Sequence, residues 1–245
     1  MINMNLKEFV SKITFKTITP KTKIEFVKNV TANVPDSFKI TDEVDETCLP
    51  EDSEIITKDL LPLLDIKRMS TFAVAAMLWK AVREMADDQI FLNIGLFHGF
   101  SFFAGSKGTD TKTCVGVDSY VLWAEAKDHF MAYMNRESHP SMHFFGEDFR
   151  TFFRLHMPQF KKEIGVYFCD ADHSEKGMLE ALEIAKPFMS KDCVVFLDDT
   201  NLSGIRKVAD KFFKKKEWDR IFESRTCRNQ HPTFWNGITI FKRRK

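Results

Sequence analysis

The pattern that predicts the fold begins with the stretch at residues 90–101, which reads IFLNIGLFHGFS. Its first five residues form a short apolar run typical of a buried strand, and Gly95 and Gly99 follow before the next helical stretch. Two glycines at this point allow a tight turn and a close approach of a ligand to the backbone. The pair is equally compatible with an ordinary strand-to-helix turn, and it forms neither a GxGxxG fingerprint nor a P-loop.

Apolar runs and helical stretches alternate along the rest of the chain. The further runs are Cys114–Val117, His143–Phe145, Val166–Cys169 and Val194–Leu197, and the helical stretches are Ser101–Ala104, Val121–Met134, Phe149–His156, Ser174–Met189 and Gly204–Lys214. This alternation predicts a parallel sheet covered on both faces. Ile221–Ser224 and Phe234–Phe241 predict a terminal hairpin. The expected fold is α/β: a Rossmann-like, mostly parallel seven-stranded sheet with helices on both faces and a C-terminal antiparallel hairpin.

Residues 1–68 differ from the remainder of the chain. Four prolines interrupt them, only a short helix at Thr57–Leu64 is expected, and the apolar residues are too few for a separate core. We therefore predict an N-terminal extension or lid at 1–68 and the main domain at 69–245. That domain should start with a buried helix over Ser70–Met85, capped by Ser70 or Thr71.

Composition excludes several classes of protein. The 245 residues carry a net charge of +1, which argues against a dedicated nucleic-acid binder, and a hydrophobic content of 44% excludes wholesale disorder. The N-terminus has no apolar signal-peptide core, and no apolar run reaches the ~20 residues that span a membrane. We expect a soluble cytoplasmic protein without a membrane partner.

Acidic residues follow two of the predicted strands close to the glycine turn. Asp118 ends the second apolar run about 20 residues beyond that turn, where a carboxylate can accept hydrogen bonds from ribose hydroxyls. Taken alone, Asp118 would be a helix N-cap. Glu147 and Asp148 follow the third run, where they could face an adenine edge, or Asp148 could cap the next helix.

The fourth and fifth runs end in CDADH at residues 169–173 and LDDT at residues 197–200. Four carboxylates thus occur at two strand ends that the fold makes neighbours, and their repulsion needs compensation by a cation or a role as a base. Oxygen ligands suit Mg²⁺, Mn²⁺ or Ca²⁺ rather than zinc. Separate capping by each aspartate, with a solvated His173, is the alternative. The set together favours a functional site.

These motifs, in this order, resemble class I S-adenosylmethionine-dependent methyltransferases. The chain is most similar to the small-molecule O-methyltransferase branch that includes the macrocin-type sugar methyltransferases, and the resemblance covers about Thr71 to Phe241. It is carried by the glycine loop at 93–101, by Gly116-Val117-Asp118, by residues 169–177 and by Leu197-Asp198-Asp199-Thr200.

The resemblance implies roles for individual residues. For S-adenosyl-L-methionine, it implies that Gly95, His98 and Gly99 line the methionine part, that Asp118 holds the ribose and that Glu147 or Asp148 lies near the adenine, with Asn93, Ser101 and Asp170 also in the cofactor site. It implies Asp170, Asp198 and Asp199 as ligands of a divalent metal, Asp172 as general base and His173 as a second candidate for that base. Asn93 departs from the family, which usually has an acidic residue there.

The expected activity is metal-assisted O-methylation of a small-molecule hydroxyl on a sugar, polyol or phenol, with Mg²⁺ as the metal or Mn²⁺ or Ca²⁺ in its place. A non-catalytic scaffold that keeps the fold is the alternative that Asn93 favours. A dehydrogenase lacks support because GxGxxG is missing. A nucleic-acid methyltransferase has only the basic runs at 214–216 and 242–245 in its favour. The expected partner is a small-molecule acceptor, and a homo-oligomer is compatible with the sequence.

Overall fold

A computed structural model describes residues 4–18, 44–50, 54–226 and 229–244. The strands are β1 (Thr14–Ile18), β2 (Val44–Cys48), β3 (Ile90–Ile94), β4 (Thr113–Val117), β5 (Met142–Phe145), β6 (Ile164–Cys169), β7 (Met189–Leu197), β8 (Trp218–Ser224) and β9 (Ile238–Arg243). The α-helices are α1 (Leu6–Ser11), α2 (Glu54–Leu60), α3 (Phe72–Glu84), α4 (Phe100–Ser106), α5 (Ala124–Glu137), α6 (Phe149–Leu155), α7 (Glu175–Ala185) and α8 (Ser203–Phe212). Short 3₁₀ segments lie at Leu61–Asp65, Met157–Phe160 and Lys186–Phe188.

Seven of these strands form one sheet in the order β5-β4-β3-β6-β7-β9-β8. The pairs from β5 to β7 are parallel, whereas β9 runs antiparallel to both β7 and β8. The predicted fold class, including the C-terminal antiparallel hairpin, is confirmed. The chain leaves β3 toward β4 and β5 and then returns to β6 on the other side of β3. Ligands of open α/β sheets bind at such a reversal, at the carboxyl ends of the strands.

The sheet is buried on both faces, which explains its continuous apolar strands. All residues of β3 and β6 are buried. Alternate side chains enter two different clusters: Phe91 and Phe168 join the core on one face, and Leu92 and Tyr167 join the core on the other. The central strands are thereby fixed in position, and so are the loops that follow them.

Two helix boundaries differ from the expectation for local reasons. The helix predicted over Ser70–Met85 is α3, and Thr71 caps it because its Oγ1 accepts a hydrogen bond from the Val74 amide at 3.4 Å. The helix predicted from Val121 begins at Ala124 instead. Tyr120 adopts a left-handed φ of 54°, which sets up a turn that helical periodicity does not reveal.

The described part of residues 1–68 packs against the main domain. Helix α1 places Leu6 and Phe9 in the same core cluster as α3, and the Leu6 amide donates to Glu84 Oε2 at 3.1 Å. Strands β1 and β2 form a separate antiparallel pair. The division at residue 68 remains a prediction. Among the described helices, none is both long enough and apolar enough to cross a membrane.

Replacing Phe9 by alanine should lower the free energy of unfolding by about 3–5 kcal/mol, because its fully buried ring would leave a cavity between α1 and the domain. Urea denaturation measures the change. The exposed Lys7 on the same helix serves as the control, and Lys7→Ala should stay within about 0.5 kcal/mol. Equal effects of the two variants would contradict the packing of α1.

Candidate functional site

The glycine loop joins β3 to α4 in a backbone conformation that requires glycine at both ends. Gly95 and Gly99 have φ values of 82° and 94°, in the left-handed region. A Cβ atom on Gly95 would overlap the backbone carbonyl oxygen of Asp170. The Asp170 amide donates to the Ile94 carbonyl at 3.1 Å, so the ends of β3 and β6 touch through their backbones.

The Asp118 carboxylate holds this loop against the end of β4. One of its oxygens accepts hydrogen bonds from the amides of Leu96 at 2.8 Å and Phe97 at 3.1 Å, and the other accepts from the Tyr120 amide at 2.7 Å. An ionised carboxylate offers about four acceptor positions. Asp118 therefore retains acceptor capacity for a ligand hydroxyl.

The Asn93 side chain stabilises the loop through two hydrogen bonds. Its side chain is completely buried, its Nδ2 donates to the Gly95 carbonyl at 2.8 Å, and its Oδ1 accepts from Ser101 Oγ at 2.9 Å. A carboxylate at this position could not donate to the Gly95 carbonyl. Both polar groups of Asn93 are thus used within the loop, which accounts for an amide at this position.

A cleft of about 500 Å³ opens beside the loop at the carboxyl ends of β3, β4 and β6. Its lining includes seven residues that sequence reasoning selected: Gly95, Asp118, Glu147, Asp148, Asp170, Asp172 and His173. The other selected residues lie outside this lining: Asn93, His98, Gly99, Ser101, Asp198 and Asp199. The segment from Ser119 to Trp123 also lines the cleft, with Val121 and Leu122 more than four-fifths exposed. The sequence pattern predicts a helix from Val121, but residues 121–123 precede the helix and line the cleft instead.

His98 packs under the loop instead of facing the cleft. Its ring lies 4.3 Å from that of Phe97 and 4.9 Å from that of His129, measured between centroids. Burial, aided by the neighbouring His129, lowers the pKa of His98 to about 4. His98 is therefore uncharged at neutral pH.

Glu147 and Asp148 each contact a basic residue of α6 or its C-terminal end, and Asp148 forms an ion pair with the Arg150 side chain at 3.0 Å. Asp148 caps the helix by accepting from the Arg150 amide at 2.8 Å, and Glu147 lies 3.2 Å from His156 Nε2. Both residues nonetheless line the cleft. The capping role of Asp148 is therefore compatible with a ligand contact.

His173 joins the carboxylates at the ends of β6 and β7. Its Nε2 lies 3.1 Å from Asp170 Oδ1 and 2.8 Å from Asp199 Oδ2. These two contacts raise the pKa of His173 to about 11. Asp198 is buried alongside, where desolvation and the charges of Asp170 and Asp199 raise its pKa well above its usual range.

Asp172 lies apart from this group. Its Oδ1 accepts from the Ser174 amide at 2.9 Å, and its carboxylate sits over the first turn of α7, where Gly177 leaves room for it. Of the four clustered carboxylates, two contact His173, one is buried beside them, and Asp172 faces the cleft separately.

Asn236 holds Asp199, and sequence reasoning did not identify it. Its Nδ2 donates to Asp199 Oδ1 at 2.7 Å, while Asp199 adopts a left-handed φ of 56°. Such backbone strain in a non-glycine residue persists only where neighbours enforce it. Asn236 belongs to the β8–β9 loop, which is tied to the start of α3 by a 2.8 Å hydrogen bond from Thr71 Oγ1 to the Thr233 carbonyl. No local motif marks Asn236, because its partner lies 37 residues earlier.

Residues 92–200 match a methyltransferase domain. The chain has the methyltransferase fold seen in an O-methyltransferase from Bacillus cereus in complex with SAH, at 14% identity and a TM-score of 0.54, covering 80% of this chain and 92% of that one. A methyltransferase from Geobacter sulfurreducens is similar at 12% identity and a TM-score of 0.50, with the same coverage of 80% and 92%. No curated protein matches the sequence significantly.

The site has space and suitable atoms for the two groups that the sequence resemblance implies, S-adenosylmethionine and a divalent metal ion. The cleft has the size of a pocket for a drug-sized ligand, and Asp118 supplies a hydroxyl acceptor at its edge. Three possible ligand atoms lie within 4.8 Å of one another, one each from Asp170, His173 and Asp199. Carboxylate oxygens and imidazole nitrogens are suitable ligands for a divalent metal ion.

Replacing Asn93 by aspartate should destabilise the protein by about 1–3 kcal/mol, because the Gly95 carbonyl would lose its buried donor and face a carboxylate. Urea denaturation at neutral pH measures the change. The matched variant Ser101→Ala removes only the bond on the other side of Asn93 and should cost about 1 kcal/mol. A neutral effect of Asn93→Asp would contradict the bracing role.

Proposed function

We propose that the protein is an S-adenosylmethionine-dependent O-methyltransferase of a small-molecule hydroxyl on a sugar, polyol or phenol. The observation that carries the proposal is the Asp118 carboxylate, which holds the glycine loop and lines the cleft at the reversal point of the sheet. The methyltransferase domain match over residues 92–200 supports the reaction class. Within this proposal, one candidate acceptor is a sugar hydroxyl, as in the macrocin-type sugar methyltransferases that the sequence resembles.

The chain's residues would bind the cofactor in three places. S-adenosylmethionine, when bound, supplies a methyl group activated by its sulfonium. Asp118 accepts hydrogen bonds from the ribose, Glu147 and Asp148 lie beside the adenine, and the Gly95–Gly99 loop holds the methionine part. Because the loop is already braced by Asn93 and Asp118, little ordering is required on binding.

The remaining residues would act on the acceptor. Methyl transfer depends mainly on holding the acceptor oxygen in line with the methyl group. Asp172 lines the cleft and takes the proton from the acceptor hydroxyl, while Nε2 of His173 is engaged by two carboxylates. Asp170, Asp198 and Asp199 are the carboxylates available to a divalent ion, which when bound lowers the pKa of the hydroxyl.

The scaffold alternative has less support than the sequence suggested. That alternative was based on Asn93 as a residue that would contact the cofactor less strongly than an acidic residue. Asn93 is instead fully buried, and its side chain stabilises the loop by donating to the Gly95 carbonyl. A cytoplasmic location and a homo-oligomer remain predictions.

Asp118→Ala should weaken binding of S-adenosylhomocysteine at least 10-fold, because the ribose acceptor and the loop contacts are lost together. Calorimetric titration with the full chain measures the affinity, and circular dichroism verifies folding. The exposed Asp128 on α5 provides the matched control, since Asp128→Ala removes the same charge away from the cleft. Unchanged affinity in Asp118→Ala would contradict the ribose assignment.

Asp172→Asn should reduce methyl transfer about 10²–10⁴-fold while leaving S-adenosylhomocysteine affinity unchanged, because only the proton acceptor is removed. The assay follows label from S-adenosylmethionine to catechol, inositol and glucose. Tight binding of S-adenosylhomocysteine by the unmodified protein without transfer to any of these probes would favour the scaffold alternative. Unchanged rates in Asp172→Asn would contradict the base.

A further inference from the structure

Three consecutive apolar side chains stand at the mouth of the cleft. Val121 and Leu122 are 82% and 86% exposed, and Trp123 is 47% exposed. All three line the cleft, and we call them the apolar rim. Single exposed apolar side chains are ordinary on a protein surface, whereas a contiguous exposed group marks a binding surface.

The fold holds the apolar rim in this exposed position. Tyr120, which precedes the rim, has a left-handed φ of 54°, and its amide donates to the Asp118 carboxylate at 2.7 Å. The Tyr120 ring is buried, with Phe130 and Phe144 as aromatic neighbours. At the other end, Trp123 is the N-cap residue of α5. Because both ends are fixed, the rim stays at the mouth of the cleft.

Two further apolar side chains extend the surface that the rim offers. The ring of Phe97, on the glycine loop, meets the Trp123 ring edge to face, with centroids 5.6 Å apart. Met69, from the segment before α3, lines the cleft as well. Aromatic rings and a flexible thioether give good contacts to another ring. The mouth of the cleft is therefore suited to a molecule with an aromatic body.

The charges of the cleft restrict this molecule further. Among the lining residues that the structure describes, Arg150 and His173 are the basic ones, and both are paired. Arg150 lies 3.0 Å from Asp148 and 2.7 Å from Glu180, and His173 contacts two carboxylates. The described lining thus offers no unpaired cation to a carboxylate or phosphate group, and its own carboxylates repel one. An uncharged molecule fits these surroundings.

The position of the apolar rim favours the acceptor over the cofactor as its ligand. The groups proposed for the cofactor include Gly95 and Asp118, at the ends of β3 and β4. There the buried residues Ile94 and Val117 line the floor of the cleft. The rim is at the exposed mouth instead. With the cofactor over the floor, the molecule that reaches the rim is the acceptor.

We propose that Val121, Leu122 and Trp123 select an uncharged phenol as the acceptor, whose ring packs on the apolar rim while its hydroxyl faces Asp172. This inference narrows the proposed function and rests on it. A phenol, whose ordinary pKa is about 10 as in tyrosine, gives its proton to a carboxylate more readily than a sugar or polyol hydroxyl does. Asp172 lines the same cleft as the rim.

The experiment measures acceptor binding, which does not depend on turnover. The full chain is titrated by NMR with catechol, inositol and protocatechuate, the carboxylate analogue of catechol. S-adenosylhomocysteine is present, and EDTA prevents a metal ion from holding the catechol. Catechol should bind at least about 10-fold more tightly than either of the other two, because only catechol is both apolar in body and uncharged.

A double variant tests the rim itself. Val121→Ser combined with Leu122→Ser should weaken catechol binding at least about 10-fold, because the ring loses its apolar contacts. The affinity for S-adenosylhomocysteine should stay unchanged. Leu155→Ser is the matched control, since Leu155 is an apolar residue of α6 that is 48% exposed and lies outside the cleft lining. It should change neither affinity.

Three outcomes would overturn the proposal. Loss of S-adenosylhomocysteine affinity in the double variant would assign the apolar rim to the cofactor. Inositol binding as tightly as catechol would refute the aromatic acceptor, and equal binding of protocatechuate would refute the selection by charge.

Methyl-transfer assays separate these results from the proposed function. Preferred binding of catechol that the double variant abolishes, without transfer to any of the probes, would refute the proposed function alone. Transfer to inositol or glucose at an undiminished rate in the double variant, without catechol binding, would refute the role of the rim alone.

Discussion

The geometry of the cleft depends on the Asp118 carboxylate, which accepts hydrogen bonds from three backbone amides. Two of these amides belong to the loop after β3, and the third, of Tyr120, belongs to the turn after β4. Hydrogen bonds from several amides stabilise an ionised carboxylate strongly. Because the loop cannot move away from Asp118 without breaking two of these bonds, the mouth of the cleft is formed before any ligand arrives.

The second constraint is the accumulation of negative charge at the carboxyl edge of the sheet. Asp170, Asp198 and Asp199 lie close enough for their charges to interact, and burial increases the cost of ionising Asp198. His173 offsets part of this charge, and Asn236 keeps Asp199 turned toward it. Residues from β6, β7 and the β8–β9 loop thus depend on one another at this edge, so the C-terminal hairpin contributes to the site as well as to the sheet.

The sheet was predictable because both of its faces are buried, which makes strands such as β3 and β6 continuously apolar. The placement of Asp118 and Asp170 at the cleft followed from the rule that parallel strands end at one edge. The orientation of Asn93 was not predictable, because a side chain at the end of a strand can turn toward the cleft or toward the core. Asn236 was missed because its contact with Asp199 is formed only by tertiary folding.

The acidic lining of the cleft distinguishes the two forms of a sulfonium cofactor. S-adenosylmethionine carries a positive charge on its sulfur, which S-adenosylhomocysteine lacks after the methyl group has left. Asp118, Glu147, Asp148, Asp170 and Asp172 all line this cleft. Arg150 and His173 line the same cleft and offset part of this negative charge. The carboxylates that remain favour the charged reactant over the neutral product. Under the proposed reaction, electrostatics would therefore weaken product binding relative to reactant binding.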